Sequence, residues 1–75
     1  MKQRTYRILL TPEEAGGFSV SVPALPGCFT QGETIEEAIE MAKEAISVYV
    51  ESLEEEGEPV PDDNKNLEYS LTLTY

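Results

Sequence analysis

Residues 32–57 read GETIEEAIEMAKEAISVYVESLEEEG, and one amphipathic helix accounts for the whole stretch. Thr34 is a good N-cap and Glu37 stands three residues on, the spacing of a capping box that satisfies two orphaned backbone N–H groups. Ile35, Ala38, Ile39, Ala42, Ala45, Ile46, Tyr49 and Leu53 recur with a period near 3.6 and form the expected inward stripe, its alanines letting the helix sit close to a sheet. Glu36, Glu40, Lys43, Glu44, Ser47, Glu51, Glu54 and Glu55 fall on the opposite side. Glu40 and Glu44, four apart, repel, and the carboxylates at 51, 54, 55 and 56 lie at the unfavourable end of the helix dipole. Gly57 is placed to end the helix.

On either side the periodicity changes from that of a helix to that of strands. Thr5–Thr11 (TYRILLT) alternates, with Tyr6, Ile8 and Leu10 on one face and Arg7 and Leu9 on the other. Pro12 to Gly17 carries turn residues at both ends and predicts a hairpin loop. Gly17–Val22 alternates strictly, with Phe18, Val20 and Val22 inward and Ser19 and Ser21 outward. Pro23 and Pro26 remove two donors and break the ladder, so PALPG reads as a rigid connection with Leu25 tucked in. Cys28–Gln31 is short enough to be only a third strand. Glu58–Asn66 (EPVPDDNKN) is polar and non-helical, and Leu67–Tyr75 (LEYSLTLTY) alternates again as a fourth strand. The expected order is β-β-β-α-β, an α+β two-layer sandwich with one helix on a mostly antiparallel sheet. The last strand should lie parallel to the first through a right-handed crossover. The sheet face away from the helix, with Arg7, Leu9 and the Ser/Thr positions, is where a dimer contact is expected.

The 75 residues (8.3 kDa) allow one small domain, whose folding buries only about 60–65% of the unfolded surface, so self-association is an economical remedy. Fifteen acidic residues against five basic ones give a net charge of −10, which repels a phosphate backbone and disfavours direct nucleic-acid binding. The charge is segregated: Lys2, Arg4 and Arg7 open the chain, whereas Glu33 to Asp63 holds twelve carboxylates against Lys43 alone. Such polarity suits a basic protein partner or a solvated surface. A single cysteine excludes an internal disulfide, and no apolar run suggests a signal peptide or membrane span, so a cytoplasmic location is expected. There is no histidine, hence none of the commonest general base or metal ligand.

The run GGFSVSVPALPGCFTQGETIEEAIEMAKEA is similar to the N-terminal domain of HicB-type antitoxins. The shared elements are an aromatic-bearing strand (Phe18), the turn Pro23-Ala24-Leu25-Pro26-Gly27, and the helix entry Gly32, Thr34, Glu36, Glu37 and Ala38. The resemblance covers nearly the whole chain, as a single domain over residues 1–75. It implies a truncated, catalytically dead ribonuclease-H-like fold and a protein that oligomerises, as a dimer or tetramer, and neutralises HicA, a small basic mRNA-cleaving toxin, by masking its surface. Many members carry a C-terminal DNA-binding domain as well. No such domain is expected after Tyr75, and hence no operator binding by this chain alone.

Glu36, Glu40, Glu44, Glu51, Glu54 and Glu55 are the candidate partner-binding residues, read against the plainer possibility of a solvated face that keeps a small protein soluble. Cys28 has no basic neighbour to activate it and reads as a small buried residue. The acidic run from Glu54 to Glu58 with Asp62 and Asp63 lacks the spacing of a calcium loop. The first strand offers no carboxylate and the last only Glu68, so catalytic metals have no convergent ligands and an enzyme is not expected. Two functions of different class remain: an antitoxin without cofactor or metal, and a stand-alone oligomeric α+β domain with a structural or ligand-binding role and no toxin.

Overall fold

The computed structural model describes residues 3–63 and 66–74. Three short antiparallel strands, β1 (Leu9–Pro12), β2 (Phe18–Ser21) and β3 (Phe29–Gly32), form a sheet in the order β1-β2-β3, and α1 (Ile35–Glu55) packs on one face. The arrangement is α+β, as the periodicities require. Leu10 pairs with Val20 and Val20 with Thr30, so one even-numbered row crosses the sheet beneath the helix. The β1–β2 hairpin closes through Gly16 N–H to Glu13 O and Glu13 N–H to Gly17 O, both 3.0 Å, with Gly16 and Gly17 at φ of 103° and 79°.

The core is small and falls into two clusters. Val20, Ala38 and Ala42 form one, flanked by Ile8, Leu10 and Phe18. Val22, Leu25 and Cys28 form the other, flanked by Tyr6, Ile8, Ala45, Ile46 and Tyr49. The PALPG connection builds the second cluster, because successive bonds from Leu25 N–H to Val22 O (2.9 Å), Cys28 N–H to Leu25 O (3.0 Å) and Val22 N–H to Cys28 O (3.1 Å) fold it inward. Leu25 is fully buried there, as expected from its place between the prolines. Tyr49 ties the helix to the same turn, its hydroxyl donating to Pro26 O at 2.7 Å.

Both helix ends follow from the residues that mark them. Thr34 Oγ1 accepts from Glu37 N–H at 3.0 Å, while Glu37 Oε1 reaches one residue further back than a capping box requires, to Glu33 N–H at 3.0 Å. At the other end Gly57 takes φ of 71°, Gly57 N–H donates to Glu54 O (3.2 Å) and Glu58 N–H to Leu53 O (2.9 Å), a Schellman closure.

Three expectations need correction. First, the opening strand is shorter than Thr5–Thr11: Tyr6 and Ile8 still pack on the core, but regular pairing begins at Leu9. Second, Leu67–Thr74 forms no strand among the described residues, and Tyr75 lies outside them, as do Lys2 and the Asn64-Lys65 part of the connecting segment. The reason lies at Asp63. Its N–H donates to Thr5 O (2.8 Å), as in a parallel ladder, but the Arg7 N–H that would next bond the Asp63 carbonyl is taken by the Asp63 carboxylate at 3.1 Å. That carbonyl instead accepts from Arg7 Nη1 (3.1 Å) and Asn66 N–H (3.0 Å), so the pairing ends after one bond. Third, Ile35 and Ile39 of the supposed inward stripe are 51% and 38% exposed, because the sheet beneath that end of the helix is only three strands wide.

Candidate functional site

The six candidate glutamates all lie on α1 and all are exposed. At about 100° per residue, Glu36, Glu40, Glu44, Glu51, Glu54 and Glu55 fall within an arc of about 100°, turned away from Ala38 and Ala42. The helix brings together carboxylates up to nineteen positions apart along a strip about 28 Å long. Two of the six are engaged: Lys43 Nζ lies 3.3 Å from Glu40 Oε1, and Arg4 Nη2 lies 3.5 Å from Glu54 Oε2. Exposed pairs of this kind contribute about 0–1 kcal/mol. Among the described residues, Glu36, Glu44, Glu51 and Glu55 have no ion-pair partner, so the strip is a field of one sign with two local breaks.

Each flank of the strip carries a groove. On the β1 side Arg4, Tyr6, Lys43, Ile46, Val50 and Glu51 line a mixed one. On the β3 side Phe29, Met41, Ala45, Val48, Tyr49 and Leu53 line an apolar groove of about 500 Å³, with Glu44 at its edge. Phe29 is 71% and Val48 61% exposed, and this surface is not evident from periodicity alone. Met41 and Val48 fall between the inward and outward stripes, where a helical wheel assigns them to neither. A β3 flanked by one strand only is what leaves them uncovered.

Three other groups are fixed by their surroundings. Asp63 is buried, and its carboxyl is held below the ordinary carboxylate range by the Arg7 backbone amide first and the Asn66 side-chain amide second (2.6 Å). Burial pushes the Cys28 thiol up, consistent with its reading as a packed, inert residue. Burial also raises the Tyr6 phenol, whose hydroxyl donates to Pro61 O at 2.6 Å. Among the described residues no cluster of three or more His, Cys, Asp or Glu could hold a metal ion, and no helix is long and apolar enough to cross a membrane.

A surface of this kind suits protein contact. The profile of the family described as HicB_like antitoxin of bacterial toxin-antitoxin system matches residues 6–73. A UPF0150 protein of Thermoplasma acidophilum is 52% identical over 59 residues, covering 79% of this chain and 86% of that protein. Antitoxin HicB 1 of Photorhabdus laumondii is 43% identical over 61 residues, 81% of this chain but 39% of its own length. Antitoxin HicB of Escherichia coli K12 is 41% identical over 56 residues, 75% of this chain and 41% of its own length. The chain thus spans about two-fifths of the relatives that carry the antitoxin name. With the match running from the first strand through α1 and on to residue 73, the chain belongs to the HicB-like antitoxin family.

Proposed function

We propose that this protein is an antitoxin module that binds and neutralises a small basic HicA-type mRNA-cleaving toxin by covering its surface, without catalysis of its own and without a cofactor. The carrying observation is family membership together with the one-signed strip on α1, where Glu36, Glu40, Glu44, Glu51, Glu54 and Glu55 project from one rigid element. Carboxylates so aligned attract a cationic partner over a Debye length, about 8 Å at physiological ionic strength, and speed its encounter. They also repel nucleic acid, so the toxin rather than its RNA is the binding target. The protein acts as a homo-oligomer in the cytoplasm, since so small a core gains from association.

The test is to look for a short basic protein encoded beside this chain and to co-express the two. Relief of growth arrest and a stable complex support the reading; arrest that persists with both proteins soluble overturns it. Glu40→Lys combined with Glu44→Lys should weaken the complex at least tenfold at low salt and flatten its salt dependence. Unchanged affinity and salt slope would remove the strip from the contact. One observation favours the second reading, a stand-alone oligomeric domain: a relative that this chain covers over 86% of its length bears only the UPF0150 designation. The absence of any co-purifying basic partner would support it.

A further inference from the structure

Two apolar features of the structure stay largely uncovered by the described residues. One is the segment after Asn66, whose Leu67, Tyr69, Leu71 and Leu73 are 69–85% exposed. The other is the groove on the β3 side of α1. We propose that they meet between copies: residues 67–73 of one copy lie along the free edge of β3 of a second copy, with Leu67, Tyr69, Leu71 and Leu73 turned into its β3–α1 groove. The inference rests on the self-association proposed above and assigns it a site.

The segment is released from its own sheet. At Asp63 the carboxylate replaces the backbone carbonyl as acceptor for Arg7 N–H, ending the pairing, while the eight residues from Leu67 to Thr74 retain strict alternation. Alternate residues share one face of a strand, so the four large side chains can all enter one groove. The receiving edge is open. Val22 N–H bonds Cys28 O, and antiparallel alternation then turns the amides of Thr30 and Gly32 toward β2 and those of Phe29 and Gln31 outward. Main-chain bonds from an added strand would satisfy these outward groups, and side-chain pockets would set the register.

Length and charge agree. From Leu67 to Leu73 a strand covers about 20 Å, and the groove wall from Met41 to Leu53 extends about 18 Å along the helix. The segment from Leu67 to Thr74 carries only Glu68, and the groove only Glu44, so contact here avoids most of the repulsion between two chains of charge −10. The competing edge at β1 is less suited: Pro12 offers no donor, and the groove beside it would set leucines among Arg4, Lys43, Glu51 and Glu54. A reciprocal exchange closes a two-fold dimer and covers eight large apolar side chains, in keeping with the ~1,200–2,000 Å² of a standard interface.

The experiment uses the full chain and no toxin. Sedimentation should show a dimer, and a chain stopped after Asn66 should be monomeric, with its helical circular dichroism retained. Val48→Asp and Leu71→Asp, each at a site already exposed, should each raise the dimer dissociation constant at least tenfold. In a Cys28→Ala background, mixing a Val48→Cys chain with a Leu71→Cys chain should give a disulfide between the two. A monomeric wild type overturns the self-association reading and this site with it. A dimer that survives the truncation overturns the site alone, as does a double Val48→Cys, Leu71→Cys variant that closes its disulfide within one chain. Loss of the dimer on truncation, with no Val48–Leu71 disulfide and no effect of Val48→Asp, also overturns it.

Discussion

Gly32 shows how closely the helix sits on the sheet. A Cβ built there would lie 2.5 Å from Ala38 N and 2.7 Å from its Cα, backbone atoms that cannot swing aside. Gly32→Ala is therefore expected to lower stability by roughly 1–3 kcal/mol, the usual cost of overpacking, read as a lower urea midpoint with unchanged slope. Asp63 acts through protonation. Its folded-state value is lowered, so its contribution is present at pH above the ordinary carboxylate value and is lost as pH falls through the lowered one. Asp63→Asn should accordingly be less stable than wild type near neutral pH, and the gap should close as the solution is acidified below the carboxylate range; a pH-independent gap in urea titrations would contradict the assignment. Of these two roles only the first was open to sequence reading. Gly32 belongs to a quoted motif, whereas nothing in PDDN tells that Asp63, fifty-six residues from Arg7, receives its amide.

At the scale of elements, α1 was the most legible part of the sequence because its signals are local: a cap, a stripe of period 3.6 and a terminating glycine, each acting within four residues. Thr34→Ala should cost about 1 kcal/mol, since it leaves the Glu37 N–H without its acceptor. The last turn contains no basic residue, and its carboxylates face the negative end of the dipole. Glu56→Lys should raise stability by about 0.3–1 kcal/mol at low ionic strength and by less in high salt, measurable as a shift in thermal midpoint. The strands were legible in alternation and order but not in extent. Leu67 to Thr74 marks where that reading stops: alternation states that a segment can pair, yet the identity of the edge is a long-range property, and here a single carboxylate bond at Arg7 decides against the nearest one.

For the molecule as a whole, the balance between surface and core sets the behaviour. Among the described residues the buried apolar ones are Val20, Val22, Leu25, Cys28, Ala38 and Ala42, none larger than leucine, so little free energy is available from one copy. The radius of gyration is 14.2 Å against about 11 Å for a compact chain of this length, the excess reflecting apolar chain held away from the core. Association shifts stability by mass action, so the thermal midpoint should rise with protein concentration, and a midpoint constant over a hundredfold range would show that one copy is self-sufficient. Added salt screens the net charge of −10 and should raise the midpoint as well, the reverse of its expected effect on binding a basic toxin. Composition pointed to the one-signed face of α1, but the grooves beside that helix could be located only once the strands had been placed.

The burial of Cys28 gives the protein an internal clock. Its thiol is enclosed between Val22, Leu25 and the helix, and is kept protonated by that enclosure. A thiol-directed label reaches it when the packing of the PALPG turn and the adjoining groove against α1 loosens, so the labelling rate counts those openings. Tyr49→Phe removes the hydroxyl that latches the helix to Pro26 and should quicken the count without altering the helix signal. Any ligand that closes over the folded chain should slow it, which makes this one sulfur atom a way to detect a partner before the partner is known.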